Sequence, residues 1–144
     1  MKRLFILLAM VVSFTASNAT NREMVAPAVV ASFQKTFGNA SEVSWSSSRD
    51  FYKVQFLLNN QYITAFYAED GEMLALTKNI SSTQLPILLD ANLRMHYEGY
   101  WISELIECST SDDVAYYVTL ENANEKIILK SYSSNWSVQK KIKR

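Results

Sequence analysis

Beyond residue 26 the spacing of apolar positions shifts twice from a helical to a strand period. Val29/Val30, Phe33 and Phe37 recur at three- and four-residue steps, the spacing of one helix face. Pro27 suits a first helical turn, where its missing N–H costs nothing, and Gly38 follows as a stop. The period then becomes two. Val43 and Trp45 alternate with Ser44 and Ser46, and strand-like runs follow at Phe51–Leu58, Gln61–Ala68 and Glu72–Ile80. Asn tolerates positive φ, so Asn59-Asn60 closes a two-residue hairpin. Glu69-Asp70-Gly71 is the next turn.

The order then repeats. Ser82 or Thr83 caps a helix with Pro86 in its first turn, and Leu85, Leu89, Leu93 and Tyr97 share one face. Gly99 ends it. Strand-like runs follow at Trp101–Cys108, Val114–Asn122, Lys126–Tyr132 and Trp136–Ile142, with polar turns at Ser109–Asp113 and Ser133–Asn135. Pro86 lies 59 residues after Pro27. An offset of 64 pairs Tyr52 with Tyr116, Val54 with Val118, Phe56 with Leu120 and Ile63 with Ile127. The expected fold is α+β: two tandem αββββ units, residues 20–80 and 81–144, each a helix packed on a four-stranded antiparallel sheet.

Hairpin geometry assigns the faces. With Asn59-Asn60 as the turn, Phe56 lies opposite Ile63 and Val54 opposite Ala65. That side, with Tyr52, Tyr67 and Leu58, meets the helix. In the second unit Val118 faces Leu129, Leu120 faces Ile127, and Glu121 faces Lys126 on the other side. The side away from the helix carries Phe51, Lys53, Gln55, Leu57, Tyr62, Thr64 and Phe66 in the first unit. In the second it carries Tyr117, Thr119, Glu121, Lys126, Ile128 and Lys130, with Tyr132 a further candidate. Aromatics interleaved with polar groups are the makeup of a protein-binding patch. The same pattern also fits a face partly covered by its own sheets. The candidate partner-binding residues are Phe51, Lys53, Leu57, Tyr62, Phe66, Tyr117 and Lys130.

The N-terminus changes the setting. Lys2 and Arg3 precede an apolar run from Leu4 to Val12, and Ser17 and Ala19 stand where a signal peptidase needs small residues. This is a secretory signal, residues 1–19, with cleavage expected after Ala19. Export goes with disulfides, yet the chain has one cysteine, Cys108, so its core must hold it. Acidic neighbours Glu104, Glu107, Asp112 and Asp113 are expected to raise that thiol, against a catalytic role. The 144 residues carry 14 basic and 14 acidic side chains, which gives no reason to expect nucleic acid. Charge is nonetheless segregated: Glu98–Glu125 holds only acidic residues and Lys126–Arg144 only basic ones.

Chemistry is sparse. His96 is the sole histidine, and one His with one Cys is too few for zinc. Asp112-Asp113 with Glu107 lacks calcium-loop spacing. No nucleophile-elbow motif accompanies the serines, and three glycines cannot build a phosphate cradle. The expectation is no catalytic residue, cofactor or metal.

Val25-Ala26-Pro27-Ala28-Val29-Val30-Ala31-Ser32-Phe33-Gln34-Lys35-Thr36-Phe37, Val43-Ser44-Trp45, Tyr52-Lys53-Val54-Gln55-Phe56 and Ala65-Phe66-Tyr67-Ala68-Glu69-Asp70-Gly71-Glu72-Met73-Leu74 resemble the PepSY-like, beta-lactamase-inhibitor-like (BLIP-like) family of bacterial secreted proteins. The resemblance runs from about Met24 to Ile80, continues through Leu85-Pro86 and weakens past Gly99. It implies an exported binding module, an inhibitor or modulator of an extracytoplasmic enzyme. No inhibitory contact residue carries over position by position. The alternative is a periplasmic binder of a small molecule or envelope component, with a pocket between helix and sheet. After signal cleavage no stable membrane insertion is expected.

Overall fold

A computed structural model describes residues 24–144. The expected signal segment and its cleavage site lie outside them. The elements are α1 (Pro27–Phe37), β1 (Ser41–Ser47), β2 (Tyr52–Leu58), β3 (Gln61–Tyr67) and β4 (Met73–Asn79), then a 3-10 turn (Ser82–Gln84), α2 (Ile87–His96), β5 (Trp101–Ser109), β6 (Val114–Glu121), β7 (Glu125–Tyr132) and β8 (Asn135–Lys143). Each strand is hydrogen-bonded to its neighbours in sequence, in the order β1 to β8 of one eight-stranded sheet. The order does not break into the two four-stranded sheets expected. Compact units divide at Leu76/Thr77, inside β4.

In the first unit, α1 begins at Pro27 and buries Val29 and Phe33. Their partners are Trp45, Val54, Phe56, Ala65 and Tyr67, with Tyr52, Leu58 and Ile63 packed around them. Phe33 stacks edge-on against Trp45 and Phe56, with ring centroids 5.3 and 5.1 Å away, a geometry that adds to plain area burial. The hairpin register is Val54 with Ala65 and Phe56 with Ile63. Asn59 and Asn60 both take positive φ, 50° and 62°, as a type I′ turn requires. At Gly71 φ is +90°, and a Cβ there would lie 2.7 Å from the Ala28 carbonyl oxygen. Only glycine fits where this turn meets the helix.

The second unit is built alike. Leu85, Leu93, Leu105, Val118, Leu120, Ile127 and Leu129 form its core, with Tyr97, Tyr100, Tyr116 and Trp136 against it. Val118 pairs with Leu129, Leu120 with Ile127, and Glu121 with Lys126. The start of its helix differs from expectation. The cap is Ser81, in a capping box with Gln84, and it opens a short 3-10 turn. Pro86 disfavours a helical residue before it, and Leu85 is extended at φ −67°, ψ 146°. The helix therefore restarts at Ile87, with Pro86 as its N-cap. Trp136 donates from Nε1 to the Leu89 carbonyl at 3.0 Å, and Asn92 bonds Asn135 at 2.8 Å. These two bonds tie α2 to the start of β8.

Candidate binding face

Strand alternation places the candidate residues on the side of each unit away from its helix. In the first unit, Lys53 pairs with Phe66, Gln55 with Thr64, and Leu57 with Tyr62. Coverage along this side is uneven. Phe66 is only 1% exposed and Phe51 is also buried; their rings meet edge-to-face at 5.5 Å. The expectation that both are open aromatics is corrected: both rings are buried, in contact with one another. Lys53 and Leu57 are half-buried.

Tyr62 is the open aromatic, at 52% exposure. Its hydroxyl donates to the Glu42 carboxylate. That bond, made to the neutral phenol, raises the Tyr62 pKa above its usual value, and the Glu42 charge and burial add to the rise. Glu42 itself has left-handed backbone, φ 51°, where the β1–β2 register shifts between Ser41 and Ser44. A bulge re-aims side chains in this way. Glu42 lies near Ser41, the partner of Leu57, and reaches past that strand to Tyr62.

In the second unit Tyr117 is also buried, against expectation. Its strand neighbours are Ile106 and Lys130, and the Lys130 ammonium lies 5.7 Å from its ring centroid. Burial, with a smaller effect of Cys108, pushes the Tyr117 phenol up to about 12. Cys108 is buried too, and burial raises its thiol to about 11 while Lys130 opposes. The cause is burial rather than the acidic neighbours expected.

A row the sequence pattern did not single out crosses this unit. Trp101 pairs with Glu121, Glu121 with Lys126, and Lys126 with Ile142. Trp101 is 51% exposed and Ile142 is exposed as well. The Glu121 carboxylate accepts from Arg144 and lies 3.5 Å from the Lys126 ammonium. A hydrogen bond from Ser103 leads in holding Glu121 below the usual carboxylate range; burial opposes it, and Arg144 and Lys126 support it. The Glu121–Lys126 pairing was legible from hairpin register. The contribution of Arg144 needed the path of the last strand.

His96 sits exposed on α2, its Nδ1 3.0 Å from the Asn92 carbonyl. Among the described residues no group of His, Cys, Asp and Glu is placed to hold a metal. In both units core side chains of helix and strands pack against one another.

No family model matches the chain, and no curated protein sequence matches it. Solved structures do. A DUF2874 family protein from Bacteroides uniformis ATCC 8492 superposes with a TM-score of 0.72 at 14% identity, over 81% of this chain and 88% of that one. A structure described as "putative periplasmic proteins" from Bacteroides eggerthii DSM 20697 gives 0.73 at 10% identity, over 83% and 88%. A BLIP-like protein from Bacteroides fragilis NCTC 9343 gives 0.68 at 14% identity, over 83% and 86%. No helix among the described residues is long and apolar enough to cross a membrane. At such identities the likeness speaks for fold alone, and the fold of this chain is that of the BLIP-like proteins.

Proposed function

We propose that this chain is an exported, non-enzymatic protein that binds another protein through the side of its strands opposite the helices. The bound protein is an extracytoplasmic enzyme that it inhibits or modulates. The observation that carries this is Tyr62. It is a large aromatic, half-exposed on that side, with its hydroxyl held by Glu42. Fixing a side chain before association removes an entropy cost of binding, and tyrosine and tryptophan are enriched among the residues that dominate interfaces. Leu57 stands opposite Tyr62, and Lys53 lies further along the same side of β2, opposite Phe66. Phe51 and Phe66 are buried on the same side of the first unit, and Tyr117, with Lys130 over its ring, is buried on that side of the second. Trp101 supplies a second open aromatic, in the other unit.

The finer family reading, a PepSY-like chain of two tandem αββββ units, is part of the proposal. It is supported by the element order and by the matching registers of the two central hairpins. Export is supported by the signal-like first 19 residues and by the likeness to the B. eggerthii periplasmic protein.

The test is affinity capture from periplasm and medium with the chain from Thr20 onward, run beside Tyr62→Ser and Trp101→Ser variants of unchanged circular dichroism. The expected result is a protein held by the parent and lost from at least the Tyr62→Ser variant. A protein held equally by all three would refute this face.

A further inference from the structure

The second helix carries apolar residues on both sides. Leu89 and Leu93 face the core. Ile87, Leu88 and Met95 do not: they are 85%, 66% and 75% exposed. At 100° per residue these three, with Ala91 between them, form one stripe roughly opposite the buried one. Singly exposed apolar residues are ordinary, but a contiguous stripe marks an interaction surface.

Cations lie next to it. The bonds Trp136–Leu89 and Asn92–Asn135 set α2 and β8 side by side and running in opposite directions. The start of α2 therefore points along β8 toward Val138, Lys141 and Lys143. Val138 pairs with Leu129, Lys141 with Ile127 and Lys143 with Glu125. Leu129 and Ile127 are core residues, so these β8 side chains stand on the helix side of the sheet. Val138, Lys141 and Lys143 are all exposed. Among the described residues, ion pairs take up Lys78, Arg94, Lys126 and Arg144 but none takes up Lys140, Lys141 or Lys143. Of the acidic groups on this side, Asp90 is bonded to Arg94 at 2.9 Å and Glu125 accepts from the Tyr100 hydroxyl.

We propose that this helix-and-strand surface of the second unit docks on an anionic phospholipid bilayer. Ile87, Leu88 and Met95 enter the headgroup boundary, and Lys141 and Lys143 meet the lipid phosphates. The charge complementarity selects an anionic occupant. The helix stripe is a projecting ridge, the shape of elements that lie in a bilayer interface. Each lysine near such a surface adds attraction that falls off within a Debye length. Binding is therefore peripheral, reversible and weakened by salt. It uses the helix side of the unit and leaves the side that carries Trp101 free, so a tethered molecule still presents that side to a protein.

The experiment is vesicle co-sedimentation of the chain from Thr20 onward, which keeps every described residue. The vesicles are phosphatidylglycerol-containing or pure phosphatidylcholine. The account expects binding to the first and little to the second. Raising salt from low to high ionic strength should release it. Lys141→Glu with Lys143→Glu should weaken it about tenfold or more, and Ile87→Ser with Met95→Ser should weaken it by a similar factor while circular dichroism stays the same. All four positions are exposed, so folding is expected to survive each change. Equal binding to both vesicle types, binding unmoved by either pair of changes, or a dimer in solution with no vesicle binding would each overturn the proposal. Tyr62→Ser should leave vesicle binding intact, so failure here and failure of the protein-binding face are separable.

Discussion

Three positions show how single side chains carry this structure. Tyr67 is fully buried, and its hydroxyl has no hydrogen-bond partner among the described residues. A buried, unsatisfied hydroxyl is a cost. Tyr67→Phe should therefore lose nothing in thermal melts and gain up to about 1 kcal/mol; a clear loss would reveal a bond the hydroxyl makes. Gly71 is the opposite case. Its φ and the nearby Ala28 carbonyl exclude a Cβ, so Gly71→Ala should cost about 2 kcal/mol or more in denaturant titrations. Glu121 contributes to acid behaviour. Its pKa is lowered in the folded state, so the stability it adds is present above the ordinary carboxylate pKa. That stability is lost as pH falls through the lowered value. Glu121→Gln should flatten the acid limb of the stability profile, and an unchanged limb would contradict the bonds assigned to it.

At the scale of elements, the central hairpins were the most legible part of the sequence. Asn59-Asn60 and the alternation on either side fix Phe56 opposite Ile63, and the same logic fixes Leu120 opposite Ile127. Two things were not legible. The start of the second helix depended on a local conflict: Ser82 and Thr83 look like caps, the cap is Ser81, and Pro86 decides that the turn it caps stays separate from α2. Coverage of the outer side was the other. Alternation tells which side a residue points to, not what lies over it. Phe66 and Phe51 are both buried with their rings in contact, and Tyr117 lies between Ile106 and Lys130, neighbours that pairing across strands supplies. Glu42 reached Tyr62 through a bulge, which leaves no signature in a run such as Ser41-Glu42-Val43. The α2–β8 tie makes its own prediction. Trp136→Phe keeps the packing but removes the bond to the Leu89 carbonyl, which should cost about 1 kcal/mol. No measurable loss would show that packing alone holds α2 there.

At the scale of the whole molecule, a chain read as exported has a single cysteine and, among the described residues, an apolar core in each unit. Its melting temperature should be the same with and without reductant. Thiol reagents should modify Cys108 only on unfolding, since the group is buried and its thiol is raised to about 11. On the outer side of the first unit Tyr62 is half-exposed, and the proposed contact with a protein is centred there. The direct measurement places a photo-crosslinking amino acid at position 62 in cells exporting the protein, and at Lys35 on the exposed side of α1 for comparison. The account predicts a discrete crosslinked protein from position 62 and none from position 35. Crosslinking from position 35 alone, or from neither position, would contradict it.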